Sequence, residues 1–168
     1  SKEMWDKIYN LKNFGIRSES LVVSVGANAK MNEFQAAMGL CNLRHLEEEI
    51  QKRKKVVEYY NVLLKNIKGI TCLNKKTNIK SNYAYYPVVF ETKEQREYIY
   101  EKLKENDIFS RRYFYPLTSD EVCFKNKYIK QDLQKARYYS DRILVLPLYA
   151  DLKNEEVERI VDVIRKNL

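Results

Sequence analysis

The sequence predicts an α+β protein in which one long helix leads into a small antiparallel sheet with helices on one face. A helical repeat of apolar residues starts at Asn32 and continues for about 35 residues. After Gly69 the pattern changes to β-branched and aromatic runs, which alternate with further helical repeats. The chain therefore divides into residues 1–31, a linking helix over 32–69 and a small domain over 70–168.

The long helix starts at a capping box. Asn32 and Gln35 have the spacing at which each side chain bonds a free backbone N–H group at a helix start. The apolar repeat then continues to Ile67, and Gly69 ends it. A helix of about 35 residues is about 50 Å long, whereas the mean helix has about 11 or 12 residues. We therefore expect it to bridge two bodies or to pack against a second subunit.

The shorter elements are predicted by the same reasoning. A helix over 3–12 comes first, and Thr92 with Gln95 forms a second capping box that opens another helix. In chain order the remaining predictions are strands over 70–73, 83–90 and 108–115, a helix over 130–140, an extended segment over 142–148 and a last helix from 154.

The composition excludes several classes of protein. Apolar residues make up 45% of the 168 residues, which is too many for a disordered chain. No run approaches the roughly 20 apolar residues of a membrane helix, and residues 1–6 contain no apolar signal segment. The net charge of +8 comes from basic residues interleaved with acidic ones, which favours a solvated surface. Three widely spaced cysteines without a CxxC motif indicate reduced thiols and a cytoplasmic protein.

Motifs for metal or nucleophilic catalysis are absent from the sequence. It contains no phosphate-binding P-loop, no dinucleotide fingerprint, no zinc-protease motif and no nucleophile elbow. The single histidine, His45, follows Cys41 by four residues, but no further histidine or cysteine lies nearby to complete a zinc site. We therefore expect no metal and no Cys/His or Ser/His catalysis in this chain.

A glycine turn before the long helix is the first candidate binding site. Gly26 is followed by Asn28 and Lys30, and the capping box comes directly after them. Outward-pointing backbone N–H groups and the positive end of the helix dipole favour an anion at such a position. The turn is therefore a candidate phosphate site, although most turns of this kind bind nothing.

The second candidate is the basic and aromatic segment RRYFYP over 111–116. Alternation along a strand would place Tyr113 and Tyr115 on one face, with Arg112 and Phe114 on the other. Aromatic faces and guanidinium groups suit ring stacking and phosphate binding, so nucleic acids and nucleotide sugars both remain possible ligands. An amphipathic strand with one face in the core explains the pattern equally well.

Taken together, these stretches resemble the DegT/StrS family of sugar aminotransferases, which are pyridoxal-phosphate enzymes of the aspartate aminotransferase fold. The resemblance is carried by NFG at 13–15, GANAKMNEFQAAMGL at 26–40, RRYFYPL at 111–117 and LVLPLY at 144–149, in the family's order. The segment RRYFYPL is most similar to that of the branch that aminates C3 of dTDP-linked 3-keto-6-deoxyhexoses.

The resemblance implies that this chain is the C-terminal portion of such an enzyme, with 1–31 as the end of the large domain. In the family, the lysine that binds pyridoxal 5′-phosphate lies upstream of the Asn-Phe-Gly motif. Lys30 does not replace it, because it matches the family's basic residue after the Gly-x-Asn turn. We therefore expect no catalytic residue in this chain and no activity of the chain alone.

Binding roles are carried over only at matching positions. Asn28 matches an asparagine that reaches across a homodimer to the neighbouring subunit's cofactor phosphate, and Lys30 matches a basic residue near that phosphate or the substrate. Many relatives have a histidine where this chain has Thr118, so a histidine contact is not expected there. The residues expected to bind the nucleotide sugar, besides Lys30, are Arg112, Tyr113, Phe114 and Tyr115.

The implied reaction moves an amino group, with glutamate as the expected donor, onto a keto-sugar nucleotide. The alternative from another class is a stand-alone basic and aromatic module that binds single-stranded nucleic acid. The Gly-x-Asn-x-Lys-Met turn over 26–31 argues against it. A third possibility, compatible with the first, is an interaction domain that dimerises through the long helix.

Overall fold

The computed structural model describes residues 1–73, 78–124 and 133–168, which form two compact units, 1–46 and 47–168. The elements, in chain order, are helix α1 (Lys2–Lys12), strands β1 (Ile16–Ser18) and β2 (Leu21–Val22), helix α2 (Glu33–Leu64), strands β3 (Ile70–Cys72) and β4 (Tyr86–Phe90), helix α3 (Lys93–Glu105), strand β5 (Arg111–Arg112), a 3₁₀ turn (Thr118–Asp120), helix α4 (Gln134–Arg142), strand β6 (Ile143–Leu146) and helix α5 (Asn154–Lys166).

The first unit is held together mainly by backbone contacts. The Ser1 side chain caps α1 by accepting a hydrogen bond from a backbone N–H group, and the chain reverses after α1 at Gly15, whose φ is +75°. Gly26 packs against the end of α1 so closely that a Cβ atom there would lie 2.7 Å from the Leu11 carbonyl oxygen. Gly15 is the one buried residue of this unit. The unit therefore has no apolar core of its own.

The long helix is confirmed, with ends close to those predicted. The Asn32 side chain accepts a hydrogen bond from the Gln35 N–H group at 2.9 Å, and Gln35 bonds back to the Asn32 N–H group at 3.1 Å. The helix has 32 residues and ends at Leu64, a few residues before the predicted end, where Ile67 donates to the Leu64 carbonyl in a closing turn. Its predicted contact with a second subunit stays a prediction.

The second unit contains an antiparallel sheet with the strand order β3-β4-β6-β5. Alternate residues of β4 and β6 point into one core, against the end of α2 and against α3 and α5. Within this core the rings of Tyr60 and Tyr86 stack with centroids 4.6 Å apart. The predicted architecture, a long helix leading into a small antiparallel sheet packed against helices, is therefore confirmed. The core side chains are Val56, Tyr60, Leu64, Tyr86, Val88, Phe90, Ile99, Leu103, Ile108, Leu144, Leu146, Leu152, Val157, Ile160, Val161 and Ile164.

Two predicted elements are corrected. The strand predicted over 108–115 is limited to Arg111 and Arg112, because these residues alone pair with β6 before the chain turns. The strand predicted over 83–90 begins only at Tyr86. The helix predicted over 130–140 corresponds to α4, and its positions 130–132 lie outside the described residues.

Candidate functional site

Asn28 and Lys30, predicted to share an anion site, do lie together in the first unit. The Lys30 ammonium donates to the Asn28 side-chain oxygen at 2.5 Å and to that of Asn13 at 3.4 Å. It also lies 5.0 Å from the centre of the Phe14 ring. The side chains of Asn28 and Lys30 are exposed to solvent. The turn therefore holds a positive charge at the surface in a defined position.

Two backbone N–H groups of this turn do not point outward as the sequence predicted. The N–H group of Ala27 donates to the Leu11 carbonyl at 2.8 Å, and that of Ala29 donates to the Lys12 carbonyl at 2.9 Å. These bonds satisfy the last carbonyls of α1, which have no partner within their own helix. The expectation that outward-pointing N–H groups would bind an anion is wrong for these two residues. Anion binding here must rest on the side chains.

The Asn28 and Lys30 side chains fit a phosphate group. An ammonium carries three N–H donors, and the two asparagine oxygens leave one of them for a ligand. The amide nitrogen of Asn28 donates to no group within the described ranges. A phosphate at this surface would accept one hydrogen bond from the Lys30 ammonium and one from the Asn28 amide, and its own charge strengthens both. Both donors come from a turn that Gly26 anchors to the end of α1.

In the second unit, the aromatic segment after β5 is arranged differently from the predicted alternation. The ring of Tyr113 contacts the Phe114 ring with centroids 4.2 Å apart and the Tyr85 ring at 5.2 Å. Tyr115 instead lies below the guanidinium of Arg96, at 4.5 Å. The prediction that Tyr113 and Tyr115 share one face is wrong, because the strand ends at Arg112 and the chain turns immediately after it. Tyr113 and Phe114 together present one aromatic surface.

The structure does not bring Arg112 onto that aromatic surface. Its guanidinium forms an ion pair with Glu97 on α3, lies 3.8 Å from Glu101 and stacks over the Tyr100 ring at 3.9 Å. These contacts fix Arg112 between strand and helix. Its role in substrate binding stays a prediction, and its observed partners are those of a structural residue.

Sequence reasoning missed Arg96, which organises this region. The side chain is completely buried, its Nε donates to the Asp141 carbonyl at 3.0 Å, and its Nη2 lies 3.2 Å from Glu97. Burial lowers the pKa of Arg96, with Glu97 acting in the opposite direction. Its spacing to Ile99 and Leu103 gave the available signal, an arginine on the apolar face of a helix.

Two further contacts join the aromatic segment and the turn that follows it to α4. The Ser140 hydroxyl donates to the Phe114 carbonyl at 2.6 Å, and Arg137 forms a bidentate pair with Asp120 of the 3₁₀ turn. Together with Arg96, these contacts join the segment to α3 and α4. The aromatic surface is therefore positioned by helices packed against it.

The described residues contain neither a metal-binding cluster nor a membrane-spanning helix. Within 1–73, 78–124 and 133–168, no group of three or more His, Cys, Asp or Glu residues could hold a metal ion. No helix in these ranges is both long and apolar enough to cross a membrane. The three cysteines are free thiols, with Cys41 and Cys123 exposed.

The architecture is that of an aminotransferase. A putative PLP-dependent aminotransferase from Bacillus cereus ATCC 10987 superposes with a TM-score of 0.84 over 98% of this chain and 45% of its own, at 28% sequence identity. The family model of the DegT/DnrJ/EryC1/StrS aminotransferases matches residues 1–165. The chain therefore belongs to the DegT/DnrJ/EryC1/StrS aminotransferase family, as the motifs of the sequence indicated.

Its curated relatives include nucleotide-sugar transaminases. The dTDP-4-amino-4,6-dideoxy-D-glucose transaminase of Escherichia coli is 41% identical over 158 residues, which are 92% of this chain and 43% of that protein. The Shigella dysenteriae protein of the same name is 36% identical over 99% of this chain and 46% of its own. A dTDP-3-amino-3,6-dideoxy-alpha-D-galactopyranose transaminase from Aneurinibacillus thermoaerophilus is 22% identical over 98% of this chain and 44% of its own. The chain spans less than half the length of each.

Proposed function

We propose that this chain forms part of a pyridoxal-phosphate-dependent aminotransferase that transfers the amino group of glutamate to a dTDP-linked 4-keto-6-deoxyhexose. The observation that carries the proposal is the 41% identity to the E. coli transaminase over nearly the whole chain. Transamination exchanges a keto group for an amino group, so a 4-amino sugar implies a 4-keto partner. The proposal therefore places the reaction at C4, in place of the C3 position that RRYFYPL suggested.

The chain's contribution to cofactor binding is the Asn28 and Lys30 pair. When bound, pyridoxal 5′-phosphate supplies the electron sink that lets an amino group join or leave a carbon atom. Asn28 and Lys30 hold the cofactor's phosphate or an adjacent substrate phosphate through hydrogen bonds, as their exposed donors allow. We assign no catalytic residue to this chain.

We further propose that this pair serves the partner subunit's site in a homodimer. The proposal rests on the family asparagine that Asn28 matches, and the exposure of Asn28 and Lys30 is compatible with it. Lys30 is paired with two neutral oxygens, and no carboxylate among the residues that the structure describes pairs with it, so its charge remains available to an anion.

The chain's contribution to substrate binding is the aromatic surface of Tyr113 and Phe114. Aromatic faces pack against the C–H faces of sugar rings and against nucleobases. The Arg96 and Glu97 pair on α3 keeps this segment in place, with Tyr115 stacked on Arg96. We propose that Tyr113 and Phe114 form a wall of the nucleotide-sugar pocket and that Tyr115 supports it.

A chimera tests the proposed function. The segment of the E. coli transaminase that matches this chain is replaced by these 168 residues, and glutamate-dependent amination of dTDP-4-keto-6-deoxyglucose is measured by chromatography. We expect amination above that of a chimera whose cofactor lysine, supplied by the E. coli part, is replaced by alanine. A chimera that folds and binds pyridoxal 5′-phosphate but does not aminate this substrate would contradict the proposal.

Single substitutions in the chimera test the binding roles. Loss of one charge-assisted hydrogen bond costs about 1.5–3 kcal/mol, which is about ten- to hundredfold in affinity. We expect Asn28→Ala to weaken retention of the cofactor and Lys30→Ala mainly to raise the KM for the nucleotide sugar. Lys2→Ala, another exposed lysine of the same unit, is the matched control and leaves both values unchanged.

Mixed dimers test the proposed contact between subunits. A subunit with Asn28→Ala is combined with one that lacks the cofactor lysine. If Asn28 serves the neighbouring site, one of the two sites then has an intact lysine and an intact Asn28, and activity returns. Mixed dimers without recovered activity would show that Asn28 acts within its own subunit.

A further inference from the structure

The two adjacent arginines of β5 have different surroundings. Neighbouring residues of a strand point to opposite faces of the sheet. Arg112 points toward α3, where Glu97 binds it. Arg111 pairs in register with Val145 on β6 and lies on the other face. In the part of the chain that the structure describes, no carboxylate pairs with Arg111.

Arg111 lines a groove of about 210 Å³ together with Tyr85, Phe109 and Val145. Phe109 is 75% exposed and Tyr85 is 52% exposed, so both residues are accessible from the solvent. A guanidinium fork matches the oxygens of a phosphate group, and accessible aromatic faces stack on nucleobases. This groove therefore combines the two kinds of contact that recognise a nucleotide.

The groove continues the aromatic surface already described. Tyr85, which lines it, contacts the ring of Tyr113, and Tyr113 contacts Phe114. Pockets that enclose a whole drug-sized ligand have volumes of about 300–1,000 Å³. A groove of about 210 Å³ therefore holds one end of a nucleotide sugar and leaves the remainder to the surface of Tyr113 and Phe114.

We propose that this groove binds the nucleotide end of the substrate, with Arg111 on the diphosphate and the base against Phe109 and Tyr85. The inference rests on the proposed function for the identity of its ligand and adds three binding residues to it. Arg111, rather than Arg112, is then the arginine of the RRYFYPL segment that contacts the substrate.

Nuclear magnetic resonance of the 168-residue chain tests this inference without requiring catalysis. The ¹⁵N-labelled chain is titrated to millimolar concentrations with dTDP, thymidine or inorganic phosphate. We expect dTDP to shift the Arg111 side-chain Nε–H signal and the signals of Phe109 and Tyr85. Thymidine should shift only the backbone amide signals of Phe109 and Tyr85. Inorganic phosphate should shift only the Arg111 side-chain signal. If the Arg111 Nε–H signal does not shift at the highest dTDP concentration that stays in solution, the inference is overturned.

Three glutamine variants assign the contact to one arginine. We expect Arg111→Gln to raise the Kd for dTDP about ten- to hundredfold, as loss of a charged hydrogen bond predicts. Arg165→Gln, on the exposed end of α5, removes the same charge from the same unit and should leave the Kd unchanged. A weakening produced by Arg112→Gln and not by Arg111→Gln in folded variants would contradict the inference.

The same variant in the chimera separates this inference from the proposed function. If the chimera aminates the 4-keto sugar and Arg111→Gln leaves its KM unchanged, the groove inference fails while the proposed function stands. If the folded, cofactor-bound chimera does not aminate the sugar, the proposed function fails, and dTDP binding to the 168-residue chain then decides the groove by itself.

Discussion

The two units of this chain differ in where their apolar side chains lie. Residues 47–168 contain all eighteen buried apolar side chains found in the described ranges. In residues 1–46, Trp5 is 61% exposed and Phe34 is 87% exposed. Exposed apolar surface on this scale is typical of a region that another protein surface covers. The comparison teaches that the second unit has an apolar core of its own, whereas the first is held together mainly by backbone hydrogen bonds and leaves its apolar side chains exposed.

The largest expected effect comes from removing a phenylalanine ring from each unit. Phe90 is 1% exposed, so Phe90→Ala should lower the free energy of unfolding by about 3–5 kcal/mol. Phe34→Ala removes the same ring from an exposed position and should change it by less than about 0.5 kcal/mol. Urea denaturation followed by circular dichroism measures both. Equal losses would show that the start of α2 is buried in the isolated chain.

The next effect tests how the aromatic segment is fixed. Glu97 lies beside Arg96 and Arg112 and is about one third exposed. Glu97→Gln removes the carboxylate from both guanidinium groups, and we expect a loss of about 1–2 kcal/mol, reduced from the value for a fully buried pair. Glu101→Gln, one turn later and more exposed, is the matched control and should cost less than about 0.5 kcal/mol. If the two variants lose equal amounts of unfolding free energy, Glu97 does not fix the segment more than Glu101 does.

Alkaline pH should destabilise the second unit through Tyr60. Burial raises the pKa of Tyr60 above the ordinary tyrosine value of 10.0. Because the unfolded chain then releases the proton first, the free energy of unfolding falls as the pH rises above 10.0, by up to about 1.4 kcal/mol per pH unit. Tyr60→Phe should reduce this slope in denaturation experiments between pH 9 and 11, although it also loses the bond to the Pro147 carbonyl. An unchanged slope would contradict the account.

The smallest effect compares two similar helix caps. The Thr92 hydroxyl accepts from the Gln95 N–H group at 3.1 Å at the start of α3, much as Asn32 does at the start of α2. Thr92→Ala should lower the stability of the second unit by about 1 kcal/mol. Asn32→Ala should leave that stability unchanged and should only speed hydrogen exchange at residues 33–36. A comparable global loss for Asn32→Ala would mean that the two units unfold together.

The features predicted correctly depend on residues close in sequence. The start of α2 follows from the three-residue spacing of Asn32 and Gln35, and the pairing of Asn28 with Lys30 follows from a spacing of two. The hydrogen bonds of the Ala27 and Ala29 N–H groups were not predictable from local spacing, because their acceptors are carbonyls at the end of α1.

The features that were missed depend on distant residues. The buried Arg96 side chain is held by a hydrogen bond to the Asp141 carbonyl, which is 45 residues away in the sequence. The turn after Arg112 follows from where pairing with β6 stops, and no local pattern in RRYFYP marks that point. As a result, the aromatic segment could be predicted from the sequence, but the prediction that Tyr113 and Tyr115 share one face was wrong.

The ratio of amination rates on two isomeric substrates tests the central claim most directly. The chimera is supplied with glutamate and either dTDP-4-keto-6-deoxyglucose or its 3-keto isomer, and kcat/KM is measured for each. The account predicts a preference for the 4-keto sugar of at least about tenfold, which corresponds to about 1.4 kcal/mol. Equal rates, a preference for the 3-keto isomer, or amination of neither sugar by a folded, cofactor-bound chimera would contradict it.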